Sequence, residues 1–219
     1  MRAHPTAAIT GARSAGIAAA RAGPAGKRER TKAANREAIL AAARAVFSDV
    51  GYGAASVRDI VRRTDLASGT FYNYFPDKES VLRALVDEIA VEARARVRAA
   101  RAAATTLEAF VADGYRAYFG FLARDPSTVA LMRRNAGTIR ALFDEPALGA
   151  GIDELRADLE AGVAAGALPP HDTELMAAAM VGSAVEVGIA MVAADPIDVE
   201  RAVSLVTTVY VGAFEHIQR

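Results

Sequence analysis

Cysteine is missing from this chain of 219 residues, which removes disulfides, thiol catalysis and cysteine-ligated zinc together. Histidine occurs three times, at the scattered positions His4, His171 and His216, and no helical spacing groups these with carboxylates. Gly26-Lys27 lacks the earlier glycine and the Ser/Thr of a phosphate loop, and neither G-x-S-x-G nor H-E-x-x-H occurs. No enzyme activity, cofactor or metal is therefore expected. Glycine and proline are few, 17 and 8 residues, and 53% of the chain is hydrophobic, enough for a globular core in one or two domains. Net charge is zero as well, but that balance conceals an asymmetry. Residues 1–100 hold 17 Lys and Arg against 10 Asp and Glu, a net of +7, and residues 101–219 hold 9 against 16, a net of −7. A basic half joined to an acidic half points to a polyanion-binding module carried by one that avoids polyanions.

Within the basic half, Ser56 to Phe75 reads as two short helices joined by a tight turn. Val57, Ile60 and Val61 give the first an apolar face, with Arg58, Arg62 and Arg63 on the other side. Ser56 and Asp59 have the spacing of a capping box. The second helix opens at Ser68-Gly69-Thr70; Phe71 and Phe75 share a face suited to burial, while Thr70, Tyr72, Asn73 and Tyr74 carry polar tips. Such a helix suits a DNA major groove. Before it, a helix is expected from Thr31 or Lys32 to Asp49, with Gly51 as its stop. After it, Pro76-Asp77 gives a turn and a cap, and a long helix continues from Lys78. Beyond Val91 that helix becomes Arg/Ala-rich and reads as a solvent-bridging connector.

The landmarks AILAAARAVFSDVGYGAASVRDIV and SGTFYNYFPDKESVL resemble the DNA-binding domain of the tetracycline-repressor (TetR) family of bacterial transcriptional regulators, over about Asn35 to Ala90. Gly69, Thr70, Tyr72, Phe75, Lys78 and Glu79 match the family's recognition-helix pattern, and Tyr74 takes the place of a frequent His. Ala67 stands where a Ser or Thr usually caps, and Asp65 where the turn usually has Gly, so Ser68 or Asp65 is expected to cap instead. The resemblance implies phosphate contacts from Thr70, Tyr72, Tyr74 and Lys78, with Arg58 added. The residue chemistry suggests base-edge contacts from Ser68, Gly69 and Asn73. Lys32, in the basic cluster Lys27-Arg28-Glu29-Arg30 to Arg36, is a further candidate for phosphate or minor-groove contact.

The remaining chain is a series of helical patterns with no strand signal. The expected fold is all-α with about nine helices: an N-terminal three-helix helix-turn-helix domain and a C-terminal helical ligand-binding and dimerisation domain. The expected division is a disordered tract over 1–31, a DNA-binding domain over 32–90 and a second domain over 91–219. Breaks are expected at Asp125-Pro126, with Ser127 capping the next helix, and near Gly137. The acidic pairs Asp144-Glu145 and Asp153-Glu154 fit helix N-termini. Leu175 to Ala194 contains one charge, Glu186, yet its many Ala and Gly residues suit a subunit interface better than a bilayer. Small residues recur at Ala178, Gly182 and Gly188, and the last helix offers Val203, Val206 and Tyr210; together they are the expected dimer interface. Phe110, Tyr115, Tyr118, Phe119, Met132, Arg134, Asn135 and Phe143 are the candidates to enclose a small, largely apolar effector. The expected function is a cytoplasmic, homodimeric, ligand-responsive repressor on double-stranded DNA. The alternative is a constitutive or architectural DNA-binding protein with no effector pocket.

Overall fold

The computed structural model describes residues 24–142 and 146–217, and these hold nine helices and no strand. They are α1 (Pro24–Val50), α2 (Val57–Val61), α3 (Ser68–Phe71), α4 (Lys78–Ala103), α5 (Leu107–Arg124), α6 (Pro126–Ala141), α7 (Pro146–Ala164), α8 (Thr173–Ala193) and α9 (Val199–Ile217). The chain divides into two compact units, residues 1–34 and 35–219. In the first unit, residues 27–34 are exposed helix, and the Thr31 hydroxyl donates to the Lys27 carbonyl at 3.0 Å. The helix thus begins at Pro24, well ahead of the expected Thr31. Proline at a helix start has its φ preset, and the Ala, Lys, Arg and Glu after it are good helix formers. The rest of the tract expected to be disordered lies outside the described residues.

In the second unit, Gly51 ends α1 with φ of +81°, a conformation that strains any residue with a Cβ. Ile39, Ala43, Val46 and Phe47 of α1 are buried with Ile60, Val61, Phe71, Phe75, Leu82 and Leu85. The boundary expected after residue 90 falls inside α4, which runs unbroken for 26 residues. α5 lies between α4 and α9, and α7 packs along α8 and also touches α4.

Three other expectations are corrected. Asp125, not Ser127, caps α6, accepting from the N–H groups of Ser127 and Thr128, because Pro126 occupies the first helical position. The break expected near Gly137 lies at Asn135 (φ −121°, ψ 17°). Asp153 and Glu154 sit within α7 rather than at its start, and Asp144-Glu145 lies outside the described residues. By length and composition α8 could cross a membrane, yet Ala177, Met180, Val185, Ile189 and Val192 are buried in the protein.

Candidate nucleic-acid interface and effector cavity

Local capping chemistry sets the helix-turn-helix. Ser56 and Asp59 form the full capping box on α2: the Ser56 hydroxyl accepts from the Asp59 N–H, and the Asp59 carboxylate accepts from the Ser56 N–H at 2.9 Å. Hydrogen bonds from Ser56 hold the Asp59 carboxyl below the usual carboxylate range. Neither Ser68 nor Asp65 caps α3. Its cap is Ala67, which has no side chain able to accept, and the Thr70 N–H is taken by the Ala67 carbonyl at 2.8 Å. The helix is fixed from beneath instead: Phe71 is fully buried and Phe75 nearly so, with ring centroids 6.2 Å apart.

That anchoring turns Ser68, Gly69, Tyr72 and Asn73 outward. Tyr72 is 58% exposed, unusually high for a large aromatic, with its edge against Phe71. Nothing lies within 4 Å of where a Gly69 Cβ would stand, so backbone can be approached closely there. Thr70 and Tyr74 are half-buried, and the Tyr74 hydroxyl accepts from Asn35 Nδ2 at 3.1 Å, tying α3 to α1. Lys78 is engaged inside the protein. Its ammonium donates to the carbonyls of Tyr52 at 2.7 Å and Ala55 at 2.8 Å, and lies 4.4 Å from the centre of the Tyr52 ring. It closes the loop between α1 and α2. Arg58 and Arg62 are exposed on the α2 side, whereas Arg63 pairs with Asp49 at 2.6 Å and Arg36 with Glu88 at 2.9 Å. Lys32 is exposed in the first unit.

A cavity of about 120 Å³ lies among α4, α5, α7 and α8. Of the sequence candidates, Phe110, Tyr115 and Tyr118 line it. Phe119 is fully buried behind Tyr115 and Tyr118, with ring centroids 5.6 and 5.8 Å away. Met132 is buried on α6 away from the cavity, and Phe143 lies outside the described residues. Arg134 packs against Gly51 instead. Asn135 is 2% exposed and committed elsewhere: its Oδ1 accepts from the Tyr52 N–H at 2.7 Å, and its Nδ2 donates to the carbonyls of Phe47 at 3.0 Å and Leu131 at 2.8 Å. A side-chain amide with three partners has little left for a ligand.

The sequence reading missed α4 itself. Ala90, Ala93, Arg94, Val97 and Arg101 all line the cavity, at spacings of three and four that run straight through the Arg/Ala-rich segment read as a solvent-exposed connector. Arg101 is its most unusual member. Its side chain is 10% exposed, Nε lies 3.0 Å from Asp158 Oδ2, and the guanidinium sits 5.7 Å from the Phe110 ring centre. Gly114 makes room for it, since a Cβ there would stand 3.3 Å from Arg101 Cγ. The Tyr115 hydroxyl donates to the Met180 carbonyl at 2.9 Å, and its ring stacks on Tyr210. Burial pushes the Tyr118 phenol up to about 12 and raises Tyr115 further.

Comparison with known proteins accords with this geometry. Residues 39–85 match the family model described as bacterial regulatory proteins, tetR family. The match to the TetR family is thus to its DNA-binding segment, which holds the end of α1, α2, α3 and the start of α4. Among curated relatives, the HTH-type transcriptional repressor KstR2 of Rhodococcus jostii is 33% identical over 90 residues, covering 39% of this chain and 44% of that protein. The A-factor receptor protein of Streptomyces griseus is 40% identical over 50 residues, 23% of this chain and 18% of that one. The chain thus spans less than half the length of these two relatives. Solved structures extend the likeness: the fatty acid degradation regulator FadR from Bacillus halodurans superposes with a TM-score of 0.68 at 26% identity, covering 80% of this chain and 93% of that one. FadR from Bacillus subtilis in complex with stearoyl-CoA gives 0.65 at 22% identity, with 78% and 97% covered, a likeness of fold.

The residues expected at a dimer interface are divided. Gly188 is buried inside the protomer, where a Cβ would meet Leu122 at 3.0 Å and Tyr118 at 3.3 Å. Val203, Val206 and Tyr210 are also buried, because the apolar stripe of α9 faces the protein's own core. Ala178 is exposed and Gly182 half-buried on α8. On α9 Leu205 and Val209, 57% and 54% exposed, lie on the side opposite the buried stripe, and Ile217 is exposed at the helix end.

Proposed function

We propose that this protein is a homodimeric, ligand-responsive repressor that leaves a pseudo-palindromic DNA site when a small effector fills the cavity. The observation carrying the reading is α3, a helix held down by two buried phenylalanines whose outward residues are Ser68, Gly69, Tyr72 and Asn73. Asn73 has the amide geometry to hold adenine through its N6 and N7, and the Tyr72, Thr70 and Ser68 hydroxyls suit phosphate oxygens. Arg58 and Lys32, both exposed, add positive charge. Lys78 acts chiefly by fixing the loop ahead of α2, and Tyr74 by anchoring α3 to α1.

Dimerisation is assigned to the outer faces of α8 and α9, through Leu175, Ala178 and Gly182 and through Leu205 and Val209. Two copies joined there would present α3 helices to successive major grooves about 34 Å apart. The named relatives support this reading: KstR2 is a transcriptional repressor, and one FadR was solved with stearoyl-CoA. An apolar cavity bordered by α4, the helix next after the reading head, counts against a constitutive binder. A partner such as chromosomal DNA implies a cytoplasmic protein.

Selection of bound fragments from sheared bacterial DNA, followed by gel shift on the enriched sequence, tests the proposal. The expected result is an inverted repeat bound by two subunits, with affinity falling steeply as salt rises. Recovery of no sequence preference at low ionic strength would count decisively against it.

A further inference from the structure

The cavity is apolar except along its α4–α7 side, where Arg94, Arg101 and Glu154 reach its wall. Arg98 lies 3.7 Å from Glu154, and Asp158 stands beside Arg101, so three guanidinium groups face two carboxylates there. Arg101 is nine-tenths buried in its side chain. Although Asp158 Oδ2 is 3.0 Å away, the buried Nε–H of Arg101 is not aligned with it and finds no hydrogen-bond partner among the described residues. Its stem is seated over Gly114, and its guanidinium lies beside Phe110, so it is held in place with its Nε–H unsatisfied. A guanidinium has five N–H donors and remains charged even where burial lowers its affinity for the proton. A largely desolvated cation with an unsatisfied buried N–H on the wall of an apolar chamber is an incomplete site.

We propose that the effector is a short amphipathic acid, with its anionic head on the Arg101 guanidinium and its apolar body among Ala93, Val97, Val111, Met180 and Val185. This deepens the reading of the protein as a ligand-responsive regulator and rests on it. The chamber of about 120 Å³ has space for roughly eight to ten water-sized groups, the bulk of a medium-chain carboxylate. On binding, the acid takes the place of Asp158 as Arg101's partner. Asp158, 44% exposed, returns to water at small cost, whereas the buried guanidinium gains aligned, charge-assisted hydrogen bonds.

Calorimetric titration of the full-length protein with octanoate, 1-octanol and octanoyl-CoA, below micelle-forming concentrations, tests this. Octanoate is expected to bind about tenfold or more tighter than octanol, since a charge-assisted pair is what distinguishes them. Arg101→Met should abolish that difference with octanol affinity little changed, and Asp158→Asn should widen it. If Arg101→Met does not fold, the wild-type comparison and Asp158→Asn still decide the matter. Equal binding of octanoate and octanol would overturn the acidic head while the effector cavity stands. Binding of octanoyl-CoA without octanoate would place the anion outside the cavity and overturn the role of Arg101. Binding of none of the three would remove support for the effector reading itself.

Discussion

The amide nitrogen of Tyr52 lies 2.7 Å from Oδ1 of Asn135, across 83 residues of chain. The same asparagine holds the Phe47 carbonyl, so the end of α1 and the loop after it are fastened to the bend in α6 by one side chain. Asn135→Ala would take the acceptor from the part-buried Tyr52 N–H, at a cost of about 1–3 kcal/mol, while the Phe47 carbonyl would keep the Gly51 N–H. Asn135→Asp should be worse, because a carboxylate cannot donate to Phe47 or Leu131. Urea unfolding at fixed protein concentration checks both.

Phe71→Ala and Tyr72→Ala should separate support from contact on adjacent residues. Phe71 is fully buried, and its truncation is expected to destabilise by about 3–5 kcal/mol. Tyr72, 58% exposed, should leave the melting temperature nearly unchanged while weakening DNA binding. Asn73→Ala should lose about 1–3 kcal/mol of discrimination at one base position. Thermal melts paired with fluorescence anisotropy on the selected site give both readouts.

Arg58→Ala and Lys78→Met should differ in kind. Removing the exposed Arg58 from both subunits is expected to make the dependence of log K on log salt shallower by about two units, one per subunit. Lys78→Met removes charged hydrogen bonds to Tyr52 and Ala55, each contributing about 1.5–3 kcal/mol, so it should lower stability first. Hydrogen exchange across residues 51–56 should rise in the second variant alone.

Asp125 supplies a pH signature. Hydrogen bonds from Ser127 and Thr128 hold its carboxyl down at about 2. Because its pKa is lower folded than unfolded, its stabilisation is complete above the unfolded value near 4. It fades as pH falls from there toward 2. Asp125→Ala should therefore cost about 1 kcal/mol at pH 7, the usual worth of an N-cap. The gap between variant and wild type should begin to narrow only below about pH 4, as measured by unfolding at a series of pH values.

Leu205→Glu and Val203→Glu test the two sides of α9. The exposed Leu205 should tolerate the charge and yield a folded monomer in sedimentation equilibrium. Val203, 2% exposed, should not tolerate it, and loss of helical signal is the expected outcome. A Leu205→Glu protein that remains dimeric would move the interface elsewhere.

Features legible in the sequence were those determined by near neighbours. Ser56 with Asp59, Gly51 and Asp77 each act within a turn or two of chain, and each does what its spacing suggested. Partners distant in the chain were not legible. The stripe Val203, Val206 and Tyr210 announces a buried face but not what buries it, and the answer is the protomer's own core. Asn135 looks in sequence like any polar residue after Arg133-Arg134, and only the fold brings Phe47 and Tyr52 to it. The α4 lining escaped notice because arginine on a wall with Ala90, Ala93 and Val97 resembles a solvated pattern, although its long stem packs well against apolar surface.

Gly114 has an effect larger than its size. A methyl group there would press within 3.3 Å of the Arg101 stem and take up space on the chamber wall, which Gly114 lines. One carbon added to α5 would thus shorten the acceptable chain length for any occupant, while the outward residues of α3 keep their places. Preference for cargo and preference for sequence can drift separately in such a protein, the first by changes as slight as a single methyl.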